Sequence, residues 1–169
     1  MNFITEALTH SHDKKEFYSG KRPLDDYIKK WAKQDVKRRL AACFVYCQTD
    51  LLVKGYYTLS NRSIDREELS EVLMTRRLPY RDIPTTLLGR LAIDKSIANQ
   101  GMGRRLLMDA LKRSFLVARH EIGSMAVVVD PLDDEAIAFY GHFGFIQLPT
   151  SGKMFLPMAS IEELKLHEN

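Results

Sequence analysis

Leu91-Ala92-Ile93-Asp94-Lys95-Ser96-Ile97-Ala98-Asn99-Gln100-Gly101-Met102-Gly103-Arg104-Arg105 runs from an apolar strand end, through a polar turn, into the clearest helical pattern of the chain. Two glycines one residue apart let the backbone turn tightly, so that successive N–H groups can point into one concavity. The helix N-terminus behind them adds a partial positive charge, and the combination suits a pyrophosphate. Arg104 and Arg105 stand in a first turn where the helix dipole disfavours cations, which makes sense if an anion lies between. Gly-x-Gly alone is a weak signal, and a plain strand-to-helix turn explains it as well. The stretch matches neither the P-loop pattern nor the three-glycine dinucleotide pattern.

The helix that follows spans Gly103 to Arg119, with Leu106, Leu107, Ala110, Leu111, Ser114 and Leu116 to Ala118 on its apolar side. Upstream, Thr85 to Asp94 reads as a strand broken by Gly89, where a bulge or a close backbone approach is expected. Ala41 to Gln48 and Leu51 to Ser60 read as a hairpin joined at Thr49-Asp50. A helix beginning at Pro23 is expected to bury Leu24, Tyr27, Ile28 and Trp31 and to turn Lys29, Lys30, Lys33 and Lys37 outward. Asn2 to Ala7 is a possible short first strand, and Ile64 to Arg81 a polar stretch with a helical turn. Downstream, Met125 to Val129 is a continuous apolar run of the kind found in buried parallel strands. Asp133 caps a short helix through Tyr140, and Phe145 to Leu148 and Met154 to Pro157 close the sheet. The expected class is α/β, with a mixed sheet and one domain over residues 1–169.

Composition narrows the function classes. The chain has 169 residues and a net charge of +3, ordinary hydrophobic content, and no run of apolar residues long enough to span a membrane. No signal peptide pattern precedes His10. Cys43 and Cys47 lie on one strand face about 13 Å apart, too far for a disulfide, and no histidine cluster completes a metal site around them. Two reduced, buried thiols, no metal and a cytoplasmic protein are the expectation. The charge is uneven: Lys14 to Arg39 hold ten Lys/Arg against four Asp/Glu, whereas Asp130 to Asn169 hold two against seven. Arg76, Arg77, Arg81 and Arg90 form a second basic group. Such clusters attract polyanions, although charge alone fits a solvated helix face and a loop equally well.

The order of elements, the loop Ala98-Asn99-Gln100-Gly101-Met102-Gly103 and the later segment Ala136-Ile137-Ala138-Phe139-Tyr140-Gly141-His142-Phe143-Gly144-Phe145 resemble the GCN5-related N-acetyltransferase (GNAT) superfamily. Ala98 stands where that family usually carries Gln or Arg. Ser19-Gly20, Leu24-Asp25, Tyr27-Ile28, Ala32, Gln34-Asp35 and Leu88-Gly89-Arg90-Leu91-Ala92-Ile93-Asp94 look like its toxin branch. The resemblance implies a mostly antiparallel mixed sheet flanked by helices and acetyl-CoA as acetyl donor. It further implies aminoacyl-tRNA as acceptor, a ribbon-helix-helix antitoxin as partner, and a homodimer. Carried over by position, Ala98, Asn99, Gln100, Gly101, Met102, Gly103 and Arg104 would hold the pyrophosphate, and Tyr140 falls on the family's tyrosine.

The chemistry can be argued from the residues. Acetyl transfer to an amine needs a neutral nucleophile, a stabilised oxyanion and a proton for the leaving thiolate. Backbone amides of Leu91, Ala92 and Ile93 are the candidates for the pantetheine arm and the oxyanion, with Ile93 as the oxyanion donor. Tyr140 is the candidate acid, since a phenol near pKa ~10 is roughly matched to a thiol near ~8.5; core packing with Phe139, Phe143 and Phe145 is the alternative. Thr85 to Ile93 carries no carboxylate to serve as base. A lysine acceptor near pKa ~10.4 would need one, whereas an α-amino group near ~8, lower when its carboxyl is esterified, is substantially neutral already. Lys29, Lys30, Lys33, Arg76, Arg77 and Arg90 are then the candidate RNA contacts. Two alternatives stay open: an acetyltransferase for a small amine or peptide N-terminus, and an inactive acetyl-CoA sensor or nucleic-acid-binding module.

Overall fold

β-Branched, aromatic and leucine side chains concentrate in the segments that become strands, and glycine, proline and acidic residues punctuate them. The computed structural model describes residues 2–73 and 78–168. In chain order its elements are β1 (Glu6–Ala7), α1 (Arg22–Asp26), a wide helical turn (Tyr27–Trp31), α2 (Ala32–Lys37), β2 (Ala42–Cys47), β3 (Val53–Asp65) and α3 (Arg66–Leu73). There follow β4 (Asp82–Ile93), α4 (Met102–His120), β5 (Ala126–Val129), α5 (Asp134–His142), β6 (Ile146–Gln147), β7 (Met154–Pro157) and α6 (Met158–Glu163). The strands form one seven-stranded sheet in the order β1-β2-β3-β4-β5-β7-β6. β4 and β5 are parallel, whereas β1 with β2, β2 with β3, β5 with β7 and β6 with β7 pair antiparallel. The α/β mixed sheet flanked by helices is as expected. β4 differs from expectation because it starts at Asp82 and passes through Gly89 unbroken.

Residues 2–60 and 88–111 form one compact unit, and 61–87 with 112–168 form another. The first has a core of Phe17, Tyr27, Ile28, Ala32, Cys43, Val45, Val53, Tyr56 and Ala92. Tyr56 is fully buried; its ring stacks on Tyr27 and its hydroxyl donates to the Leu24 carbonyl at 2.6 Å. Leu106, Leu107 and Leu111 of α4 are wholly buried, each worth roughly 1.5–3 kcal/mol in transfer free energy. Cys43 and Cys47 are free thiols; Cys43 is buried as expected, which pushes its pKa up to about 12, whereas Cys47 is only partly buried. The second unit is built on Ile64, Leu69, Ile83, Ala126, Val128, Leu148 and Phe155. Here the sequence pattern overreached at two places. Val117 is exposed while Phe115 is buried, and of the three phenylalanines around Tyr140 only Phe145 is buried. No described helix is long and apolar enough to cross a membrane.

Trp31 is the clearest correction. Regular helical spacing predicts it inside, yet it is 55% exposed. The Ala32 amide reaches back five residues to the Tyr27 carbonyl, which inserts one extra residue into the turn. That insertion rotates the following residues, so Ala32 takes the inward place and Trp31 faces solvent.

Asp109 on α4 ties the start of the chain to the sheet. Its buried carboxylate accepts hydrogen bonds from the Ile4 amide (2.7 Å), the Thr5 hydroxyl (2.5 Å) and the Tyr57 hydroxyl (2.8 Å). Asp109→Ala removes one acceptor from three donors and is expected to destabilise the protein by about 2–4 kcal/mol. Urea unfolding with an unchanged slope measures it, and a midpoint equal to the parent's would show that the network contributes nothing net.

Candidate active site

The strand-to-helix loop is anchored before it turns. Asp94 caps a short helical turn over Lys95–Ile97, its Oδ1 accepting from the Ser96 amide (2.9 Å) and the Ser96 hydroxyl (2.7 Å). Its Oδ2 accepts from the Tyr18 amide at 2.9 Å, and the Lys95 amide answers by donating to the Tyr18 carbonyl at 2.8 Å. The Asp94 amide bonds the Lys54 carbonyl, and the Lys54 ammonium lies 3.8 Å from the carboxylate. Burial alone would raise this carboxyl's pKa. The hydrogen bonds from Ser96 and Tyr18 and the charge of Lys54 outweigh it and hold the group below the usual aspartate value. Asp94 was read in the sequence only as a strand end. An Asp followed two residues later by Ser, at the start of a turn, was the available signal for a cap.

Beyond this anchor, Ile97 and Met102 are buried and bracket the exposed Asn99, Gln100 and Gly101. Asn99 (φ 62°) and Gly101 (φ 74°) both adopt the left-handed conformation that Gly and Asn tolerate best. A Cβ placed on Gly101 would meet nothing within 4 Å, so the space in front of its backbone is open. The first intrahelical bond of α4 runs from the Arg105 amide to the Gly101 carbonyl. The amides of Met102, Gly103 and Arg104 therefore have no intrahelical acceptor and face outward from the positive end of a 19-residue helix. Open space, outward amides and a fixed left-handed turn fit a pyrophosphate group. Gly103 has helical backbone, so Gly101 is the glycine the turn requires.

The other expected residues fall as follows. Leu91, Ala92 and Ile93 end β4, with Ala92 buried; Gly55 on β3 allows the close approach, since a Cβ there would lie 3.1 Å from Ile93 Cδ1 and 3.4 Å from the Ala92 carbonyl. The parallel ladder of β4 with β5 pairs Thr86 and Leu87, and Leu88 to Ile93 lie past it. Ala98 and Arg104 belong to the loop and the first helical turn. Tyr140, on α5 in the second unit, is 7% exposed and ringed by Phe139 and Phe145 at 5.2 Å. Its carbonyl closes the helix by accepting the Phe143 and Phe145 amides. Among the described residues no hydrogen bond to its hydroxyl is formed. Burial raises its pKa, so the phenol holds its proton at neutral pH.

On the basic face, Lys29, Lys30 and Lys33 are exposed, with Lys30 3.6 Å from Asp26. The Arg90 guanidinium lies 3.6 Å from the Tyr27 ring centroid, and the Tyr27 hydroxyl donates to Asp35 at 2.9 Å. Arg76 and Arg77 lie outside the described residues. The sequence did not suggest that Glu6, His12 and Cys47 would bring potential ligand atoms within 4.8 Å of one another. His12 Nδ1 accepts the Thr9 amide at 2.9 Å, which leaves Nε2 carrying the proton that it shares with Glu6 at the same distance. That tautomer offers Nε2 no lone pair for a metal.

The chain belongs to the acetyltransferase (GNAT) family, whose model matches residues 8–145. Acetyl-CoA is accordingly its acetyl donor. At 37% identity over 143 residues, covering 85% of this chain and 84% of the relative, it is similar to a tRNA-acetylating toxin of Mycobacterium tuberculosis. It is similar in structure to AtaT complexed with acetyl-methionyl-tRNAfMet, with a TM-score of 0.88, 28% identity and coverage of 97% of this chain and 99% of that one. A tyrosine-to-phenylalanine mutant of AtaT bound to the C-terminus of the antitoxin AtaR superposes with a TM-score of 0.81 at 28% identity, covering 95% and 96%.

Asp94→Asn tests the anchor through pH. A carboxyl held below its unfolded value stabilises the fold fully above that value and loses the contribution as pH falls through the folded one. The parent is therefore expected to melt higher than Asp94→Asn at pH 7, and the gap to close below about pH 4. A gap that is constant from pH 7 to about pH 2 would remove the ionised carboxylate from the account.

Proposed function

We propose that this chain is a toxin that transfers the acetyl group of acetyl-CoA to the α-amino group of aminoacyl-tRNA, acting as one catalytic domain over residues 1–169. The observation that carries this is the ionisable content of β4. From Ile83 to Ile93 the strand bears no carboxylate, and its one charged side chain, Arg90, lies on the ring of Tyr27. The next carboxylate, Asp94, is saturated by Ser96 and Tyr18 and held ionised by them. A strand with no base suits an acceptor amine that is neutral without one, and an aminoacyl ester supplies such an amine. The similarity to a tRNA-acetylating toxin and to AtaT with acetyl-methionyl-tRNAfMet supports the same acceptor.

In this reading the outward amides of Met102, Gly103 and Arg104, with Ala98, Asn99, Gln100 and Gly101 of the loop beside them, hold the pyrophosphate, and Leu91, Ala92 and Ile93 pair with the pantetheine arm. The Ile93 amide donates to the oxyanion. The amine nitrogen bonds to the acetyl carbon, the C–S bond breaks, and the sulfur leaves with its electron pair. Tyr140 gives that sulfur its proton, and the amine's surplus proton returns to the phenolate or to water. Burial raises the pKa of Tyr140, so its hydroxyl arrives protonated. Lys29, Lys30, Lys33 and Arg90 contact the RNA. We extend the proposal to an antitoxin of ribbon-helix-helix type, a homodimer, and action in the cytoplasm, where charged tRNA is found; the likeness to AtaT supports the antitoxin.

Two variants test the reading. Gly101→Glu forces an L residue into a left-handed turn and adds a negative charge where the pyrophosphate binds. Calorimetric titration should show acetyl-CoA binding lost in a folded protein, and unchanged affinity would sink the loop assignment. Tyr140→Phe keeps ring packing and removes the proton donor. Single-turnover acetylation of charged tRNA at saturating acetyl-CoA should slow by about 10²–10⁴ with cofactor affinity retained. A rate close to the parent's would return Tyr140 to the aromatic core.

A further inference from the structure

Outside the loop and the tyrosine, the first unit holds a cleft of about 380 Å³ lined by Thr9, His10, Ser11, His12, Asp13, Lys14, Lys15 and Lys33. Its wall is built rather than loose. His12 is 7% exposed and is held on both ring nitrogens, by the Thr9 amide and by Glu6. Asp13 is locked in place by its amide to the Leu51 carbonyl just before β3 (2.8 Å) and by the amide of Val53, the first residue of β3, to its own carbonyl (2.9 Å). The Ser11 amide bonds the Thr9 hydroxyl, and the Lys15 amide bonds Asp13 Oδ1. Lys33 reaches the same cleft from α2.

Positive charge is concentrated in the cleft. Some cations of this protein sit against carboxylates: Arg22 and Lys30 against Asp26, Lys54 against Asp94, Arg62 and Lys153 against Asp130. Among the described residues neither Lys14 nor Lys33 forms an ion pair, and Lys14 feels the charge of Lys33. Lys14 is half-buried, and its pKa is lowered first by burial and further by Lys33, with Cys43 pulling the other way. Three lysines face the single carboxylate of Asp13, so a bound anion would relieve a repulsion that the fold leaves standing. The volume is in the range of small-ligand sites, roughly 300–1,000 Å³.

We infer that this cleft binds a backbone phosphate of the RNA substrate, placing Lys14 and Lys15 in an RNA contact beyond the exposed lysines of the helix. This rests on the aminoacyl-tRNA reading above. An acidic peptide segment would be the competing occupant, but the lining offers it no apolar side chain, and an amphipathic segment needs apolar pockets to anchor it. Lysines act as point charges toward phosphate, and a strand of phosphodiesters needs nothing more.

The test uses the full-length protein with Lys14→Met and Lys15→Met together, which keep the aliphatic stems and remove the charges. Steady-state acetylation of charged tRNA should show KM raised about tenfold with kcat near the parent's, and the slope of log affinity against log salt should fall by about 1–2. Acetylation of a methionine ester, which carries no RNA, should be unchanged. If tRNA affinity and salt slope equal the parent's, the cleft is not an RNA site. If the variant loses affinity for inorganic phosphate or for a poly-glutamate peptide while tRNA kinetics stay the same, the cleft serves a different anion and the inference is overturned. A parent protein that fails to acetylate charged tRNA at all would overturn the underlying reading instead, which separates the two.

Discussion

Asp94 accepts hydrogen bonds from Ser96 and Tyr18 through both carboxylate oxygens, and the passage from β4 into α4 hangs on them. The pyrophosphate cradle proposed for this loop is made of backbone amides and has no side chain to correct its aim, so the backbone must already be held in place. The carboxylate fixes one end of the loop, burial of Ile97 and Met102 holds it at two further points, and Gly101 makes the turn between them. The amides at the start of α4 are then left facing outward because the helix geometry gives them no acceptor. Gly20 belongs to the same arrangement: a Cβ there would lie 2.7 Å from Lys95 Cε, so the segment that Asp94 captures passes closely over the loop it stabilises.

The second constraint is the wide turn at Tyr27–Trp31. One inserted residue lets Tyr27, Ile28 and Ala32 all pack inward, while Trp31 is turned out among Lys29, Lys30 and Lys33. Tyr27 in turn supports Arg90 on its ring and donates to Asp35, so the helix and β4 share one aromatic–cation contact. Such a contact is worth about 0.5–2 kcal/mol and fixes the guanidinium of the strand's one charged residue after Asp82. Beyond Asp82, β4 thus carries a single positive charge that is already positioned.

How much of this the sequence made legible follows from where the information is local. α4 was readable because its apolar repeat is long, and Asp133 because a capping residue acts on its own helix, here on the Ala136 amide at 2.9 Å. The turn at Gly101 was readable for the same reason, whereas Gly103 belongs to the helix. Trp31 was misjudged because an inserted residue leaves no mark on a periodicity count. Gly89 was expected to break the strand, and β4 runs through it to Ile93. The His12 clamp, the capture of Tyr18 by Asp94 and the meeting of Lys14 with Lys33 join residues far apart or on different elements, and no single-chain pattern encodes them.

Transfer of a labelled acetyl group from acetyl-CoA to charged tRNA, with uncharged tRNA and free amino acid in parallel, tests the central claim most directly. Label should appear on the charged tRNA alone, and mild alkaline cleavage of the ester should release it as the N-acetyl amino acid. Label on free amino acids or on protein lysines, with none on charged tRNA, would contradict the account.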